Sequence, residues 1–170
     1  MQDIGESIVG AYLRHVRKCD LVLYNEHTGA NQGEIDVIGI RSGKQPEVWL
    51  CEVATHIRGL QYGTFAQQNK KISDKVKQAK DFADRIFDAH QHHIELWSPY
   101  VPAGQVTAWM EDFAAEQKTK SVDVAFVIND DYTEKVQQLI DLARKNHSTT
   151  GEPAFRMLQI LTHARGDLTL

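Results

Sequence analysis

The sequence predicts an α/β domain in which helices flank a mixed central sheet, with an αβββαβ core and a C-terminal α/β extension. Three observations favour this class. Apolar residues near the N-terminus recur every four positions, which is typical of an amphipathic helix. Two short apolar segments follow and are separated by a polar turn, and a long amphipathic segment comes after them. The 170 residues are enough for one domain with a buried core, so a single domain over residues 1–170 is expected.

The first helix is predicted over residues 4–18, with Asp3 as its N-cap and Glu6 as the second half of a capping box. A short apolar strand is predicted over residues 21–24. The polar residues 25–32 are predicted to form a loop.

The centre of the predicted sheet is a hairpin of two strands, at residues 34–40 and 47–55. The polar turn between them, residues 41–46, is short enough to make the two strands antiparallel. A loop at residues 59–63 leads to a long helix over residues 64–89.

The rest of the chain alternates between strands and helices, and His90 to His93 are expected to end the long helix in solvent. The predicted order of all elements is αβββαβαβαβ. The later elements are a strand at 94–101, a helix at 103–117, a strand at 122–128, a helix at 132–146 and a final strand at 155–162.

Composition restricts the function classes. Hydrophobic residues make up 42% and charged residues 25% of the chain, which is typical of a folded protein. No apolar run approaches the roughly 20 residues that span a bilayer, so no membrane partner is expected. Two cysteines and the absence of a signal-like N-terminus favour a cytoplasmic location. The net charge of −4 argues against a broad basic surface, but positive charges concentrate in an N-terminal basic cluster (residues 14–18) and a helix basic cluster (residues 70–80).

Carboxylates within the two central strands are the most informative feature. Asp36 and Glu52 are both flanked by apolar residues, where a carboxylate is costly unless a cation or donor pairs with it. Because side chains alternate along a strand, Glu34 and Asp36 share a face of the first strand of the hairpin. In the same way, Glu52 and His56 share a face of the second. If the strands pair, Asp36 and Glu52 lie close together and form a site for Mg²⁺ or Mn²⁺, to which Glu6 adds a third carboxylate.

These segments resemble the restriction-endonuclease-like superfamily with the PD-(D/E)XK motif, in the form found in archaeal Holliday-junction resolvases and Mrr-type restriction enzymes. The resemblance rests on Gly5-Glu6, on Gly-Glu-Ile-Asp-Val-Ile at 33–38 and on Cys-Glu-Val at 51–53. It implies a recognisable core over residues 3–101, with an extension over residues 102–170.

The resemblance also implies roles for individual residues. Glu6, Asp36 and Glu52 would bind the metal, and Glu34 would be an auxiliary acid. The superfamily places a lysine two residues after the acid of the third strand, but this chain has Ala54 there. Such a lysine orients the attacking water or balances charge on the phosphate, and alanine does neither.

Three explanations for Ala54 remain open. In the first explanation, a lysine of the long helix supplies the ammonium, because this lysine is known to have moved to a helix in the superfamily. Lys75 is the preferred candidate and Lys71 the second. Alternatively His56 takes part in proton transfer or binds phosphate. In the third explanation the site is inactive and the domain binds nucleic acid or a partner protein.

The expected function is therefore a Mg²⁺- or Mn²⁺-dependent endonuclease that hydrolyses phosphodiester bonds, with DNA as the expected substrate and water as the nucleophile. The alternative is a catalytically inactive domain of the same fold. The resemblance also allows a homodimer, since resolvases and many restriction enzymes act as dimers. The sequence contains no P-loop and no glycine-rich dinucleotide-binding motif.

Overall fold

The computed structural model describes residues 3–29, 33–56 and 63–164, which form a five-stranded mixed sheet with helices on both faces. The α/β class predicted from the sequence is confirmed. Most of the loop predicted at residues 59–63 lies outside the described residues. In chain order the elements are α1 (Ile4–His15), β1 (Leu21–His27), β2 (Glu34–Arg41), β3 (Glu47–Val53), α2 (Phe65–Ile86), β4 (Gln91–Ser98), α3 (Gln105–Gln117), β5 (Val122–Ile128), α4 (Asn129–Lys145) and α5 (Pro153–His163).

The strands follow the chain across the sheet in the order β1-β2-β3-β4-β5. Strand β2 is antiparallel to both of its neighbours, β1 and β3, so the predicted hairpin of β2 and β3 is confirmed. Strands β3, β4 and β5 are parallel and are connected through α2 and α3, as parallel pairing requires. Strand β5 belongs to the same sheet, so the residues from 102 onwards continue the core.

Each face of the sheet has its own apolar layer. Helices α1, α4 and α5 cover the face that includes Val37, Trp49 and Cys51. Helices α2 and α3 cover the opposite face, which includes Ile38 and Leu50. Val76 of α2 packs in one apolar cluster with Val48 and Leu50 of β3, so α2 lies over the strand that carries Glu52. In the described part of the chain, no helix is long and apolar enough to cross a bilayer.

The start of α1 is fixed by two local features. Asp3 and Glu6 form the predicted capping box, in which the Asp3 carboxylate accepts a hydrogen bond of 2.8 Å from the Glu6 amide. A Cβ atom at Gly5 would clash with the Thr55 side chain just after β3. Glycine therefore allows the first turn of α1 to approach the end of β3 closely.

Two sequence predictions in the second half are wrong. Residues 155–162 form helix α5, not a strand, because Phe155 and Leu158 share a buried helical face and Pro153 starts the helix. The histidines at 92 and 93 do not end a helix in solvent, because α2 ends at Ile86 and β4 already begins at Gln91. His92 is buried, and its Nε2 lies 2.8 Å from the Phe87 carbonyl oxygen.

Candidate functional site

Asp36 and Glu52 lie side by side on adjacent strands. The register pairs Val37 with Cys51 and Ile38 with Leu50, and one further step along it places Asp36 opposite Glu52. Residues directly opposite each other in antiparallel strands share a face. Glu52 alternates with Leu50, which packs in the apolar layer below α2, and it pairs with Lys75 of that helix. Asp36 is held there by a hydrogen bond of 2.7 Å from the Val53 amide to its Oδ2.

The surroundings of both carboxyl groups disfavour their charged forms. Burial, followed by the negative charge of Asp36, raises the pKa of Glu52 to about 7. Burial also raises the pKa of Asp36, although the Val53 amide and the positive charge of Lys75 act in the opposite direction. The negative charge of Asp36 thus makes ionisation of Glu52 more costly, and a cation bound beside the two acids would offset that cost.

Lys75 supplies positive charge to this pair from α2. Its Nζ lies 2.7 Å from Oε1 of Glu52, and the side chains of Lys75 and Glu52 are 29% and 20% exposed. The neighbouring Val76 is buried against the sheet, so the aliphatic part of Lys75 follows the helix–sheet junction while its ammonium reaches the acids. Lys71 lies one turn earlier and is exposed, and its charge also lowers the pKa of Glu52.

Ala54 is part of an apolar cluster. It is 4% exposed and packs in a group with Ile72 of α2 and Leu96 of β4. An ammonium that remained among these side chains would be costly to bury. Ile72 and Lys75 are one turn apart on α2. The helix that packs on Ala54 through Ile72 therefore also places Lys75 beside Glu52.

Glu6 lies near the acid pair but already has hydrogen-bond partners. Its Oε2 accepts bonds of 3.1 Å from the Asp3 amide and 3.1 Å from Nδ2 of Asn25. Its charge contributes to the raised pKa of Asp36. Among the residues that the structure describes, no group of three or more His, Cys, Asp or Glu side chains is placed to hold a metal.

Asn25 was missed in the sequence analysis. It lies between the paired residues of β1 and β2 and occupies the position across from Asp36. Its φ of 55° is in the left-handed region, which asparagine tolerates better than most residues. This backbone turns its amide towards Glu6. The predicted loop over residues 25–32 is wrong at its start, because β1 continues through Asn25 to His27, and no sequence pattern marked Asn25.

Glu34 and His56 occupy different surroundings. Glu34 lines a cavity of about 20 Å³ together with Glu52 and Lys75, a volume that suits a water molecule and is too small for an organic substrate. His56 is exposed and lies beyond the end of β3 at Val53, so the alternation of faces that grouped it with Glu52 does not extend to it.

The comparisons give no relative. No protein-family model, curated protein or solved structure matches the chain. The resemblance to the restriction-endonuclease-like superfamily stays a prediction, and the case for a function rests on the geometry of the residues themselves.

Two arginines of the N-terminal basic cluster form contacts within the protein. In the N-terminal basic cluster, Arg14 donates a hydrogen bond of 2.6 Å to the Asp20 carbonyl oxygen and pairs with Glu152 at 3.3 Å. Arg17 lies 3.7 Å from Glu95, a carboxylate on the opposite face of the sheet. These contacts hold α1 in place.

Glu95 was also missed, although it is an acid within an apolar strand. It is 5% exposed, and burial raises its pKa while Arg17 opposes the shift. Nε1 of Trp97 donates a hydrogen bond of 2.8 Å to its Oε2. Glu95 therefore has a donor and a cation within the protein. Glu52 differs from it because the negative charge of a second acid, Asp36, contributes to its raised pKa.

Proposed function

We propose that this chain is a metal-dependent nuclease that hydrolyses phosphodiester bonds in DNA, with the cation bound by Asp36 and Glu52. The observation that carries the proposal is the position of the two carboxylates, opposite each other on β2 and β3 and partly buried. Burial is the main cause of their raised pKa values, and for Glu52 the negative charge of Asp36 is the second cause. Perturbed carboxyl groups of this kind cluster at functional sites.

The donor set fits Mg²⁺ or Mn²⁺. Both ions prefer hard oxygen ligands, and Mg²⁺ in particular keeps several water molecules and binds through one or two carboxylates together with substrate phosphates. Two protein carboxylates are therefore enough. Glu34 and Glu6 lie close enough to add negative charge, since both contribute to the raised pKa of Asp36.

The proposed chemistry is hydrolysis by water. A bound cation would lower the pKa of a coordinated water and offset charge that develops on the phosphoryl oxygens. Asp36 keeps a fixed orientation because the Val53 amide holds one of its oxygens. The Lys75 ammonium, within hydrogen-bond reach of Glu52, would pair with a phosphate oxygen or orient the attacking water. Lys71, exposed and one turn away, would contact the phosphate backbone.

A second function, an inactive domain of the same fold that binds nucleic acid or a partner protein, is favoured by one observation. Lys75 already pairs with Glu52, so the acid pair has a counter-charge without a metal. The cytoplasmic location and the homodimer are further parts of the proposal. Both described cysteines are free and buried, as a reducing compartment allows.

A plasmid assay separates the two functions. The purified chain should convert supercoiled DNA to nicked or linear forms with Mg²⁺ or Mn²⁺, and Asp36→Asn and Glu52→Gln should remove this activity while circular dichroism stays native. Lys77→Met, which removes an exposed lysine on α2, serves as the matched control and should cut normally. If no divalent metal supports cleavage of DNA or RNA, the nuclease proposal fails and the inactive domain remains.

A further inference from the structure

Lys75 is placed next to the same two acids that the proposed metal would bind. Its Nζ lies 2.7 Å from Oε1 of Glu52, and its charge lowers the pKa values of both Asp36 and Glu52. Both members of the ion pair are less than one third exposed, so water screens their charges only in part. The ammonium thus balances one of the two negative charges in the metal-free protein.

We infer that Lys75 is a built-in competitor of the divalent cation for Glu52. The inference rests on the proposed function and adds a means by which metal binding is regulated. An ammonium and a dication that share one partly buried carboxylate repel each other, so each weakens the binding of the other. Metal binding displaces the ammonium from Glu52.

The competition has a consequence for the order of events. With Lys75 in place, the acid pair is stable without a metal, and the affinity for the metal is lower than two carboxylates alone would give. Once displaced, the ammonium is free to pair with a substrate phosphate. Loading of the metal and release of the lysine are then a single event.

The same helix provides a matched control. Lys77 is two residues from Lys75, which is about 200° around an α-helix, and it is exposed. Lys77→Met removes the same charge from α2 without touching the acid pair. Lys75→Met and Lys75→Gln remove the competing charge, whereas Lys75→Arg keeps it.

The test is calorimetric titration of the full chain with Mn²⁺ alone. We expect Lys75→Met and Lys75→Gln to bind Mn²⁺ at least about tenfold more tightly than the wild type, and Lys77→Met and Lys75→Arg to stay within about twofold. Equal or weaker binding by both neutral Lys75 variants, beside a wild type that binds Mn²⁺, would overturn the competitor and leave the metal site standing. Absence of binding in the wild type and in both natively folded neutral variants would overturn the metal site and the competitor together.

Discussion

The amide of Val53 donates a hydrogen bond of 2.7 Å to Oδ2 of Asp36, so the backbone of β3 fixes the orientation of the acid on β2. Glu52 precedes Val53 on the same strand. The hydrogen bond therefore ties Asp36 to the residue that follows Glu52. The strand register also makes the two acids neighbours. Their proximity is a property of the hairpin and does not depend on flexible side chains.

Removal of the Asp36 charge should lower the pKa of Glu52. We expect Asp36→Asn to bring it from about 7 towards its ordinary value of 4.5, because the neighbouring negative charge is a cause of the shift, second to burial. Asparagine keeps an oxygen that accepts the Val53 hydrogen bond. Carbon-13 NMR titration of the side-chain carboxyl measures the change. Asp74→Asn, at an exposed acid on α2, is the control. An unchanged Glu52 pKa in Asp36→Asn would mean that the two charges are not neighbours.

The metal-free protein should become less stable as the pH rises from about 4.5 to about 7. Within this range folded Glu52 binds a proton that the unfolded chain has lost, so the free energy of unfolding falls with pH and levels off above 7. We expect Glu52 to contribute roughly 2 kcal/mol to this loss. Urea unfolding at pH 5 and pH 8 in the presence of a chelator measures it. In Glu52→Gln the difference between the two pH values should shrink, and an equal difference in both proteins would contradict the account.

Lys75 and Lys71 should affect activity in different ways. Lys75→Met should lower kcat by about 10²-fold, since the ammonium would act on charge that develops in the transition state. Lys71→Met should mainly raise KM, because an exposed lysine one turn away would contribute to binding of the phosphate backbone. Steady-state cleavage of a labelled duplex separates the two constants. A normal kcat in Lys75→Met would exclude the proposed role.

Gly5→Ala should destabilise the protein by about 1–2 kcal/mol, because the new Cβ would clash with Thr55. The double variant with Thr55→Ala should recover part of the loss. Gly151→Ala is the control, since nothing lies near that position. Thermal unfolding measures all three. Helix propensity alone predicts the opposite sign, because alanine is favoured over glycine in a helix by about 1 kcal/mol. A more stable Gly5→Ala would therefore show that the close approach is not tight.

The parts of the fold that depend on local periodicity could be predicted from the sequence. The hairpin of β2 and β3 follows from alternating apolar residues and one short turn, and it places Asp36 near Glu52. Residues 155–162 could not be assigned in this way, because a short apolar run fits a strand or a buried helix equally well. Packing against α1 and α4 decides in favour of α5.

The site could be predicted only where its contacts are local or regular. Lys75 was identified from its place beside the apolar stripe of α2. Asn25 depends on a left-handed backbone that no periodicity shows. Glu95 carries the same signal as Asp36, an acid in an apolar strand, and only the structure shows that Arg17 and Trp97 partner it. The pattern finds buried acids, but it does not show which of them lie close enough to another acid for their charges to interact.

The most direct measurement is the anomalous scattering of manganese in crystals of the full chain soaked in Mn²⁺. We expect a peak about 2.0–2.3 Å from oxygens of both Asp36 and Glu52, with the Lys75 ammonium moved away from Oε1 of Glu52. A map without a peak at the acid pair, with Lys75 still bound to Glu52 at saturating Mn²⁺, would contradict this expectation.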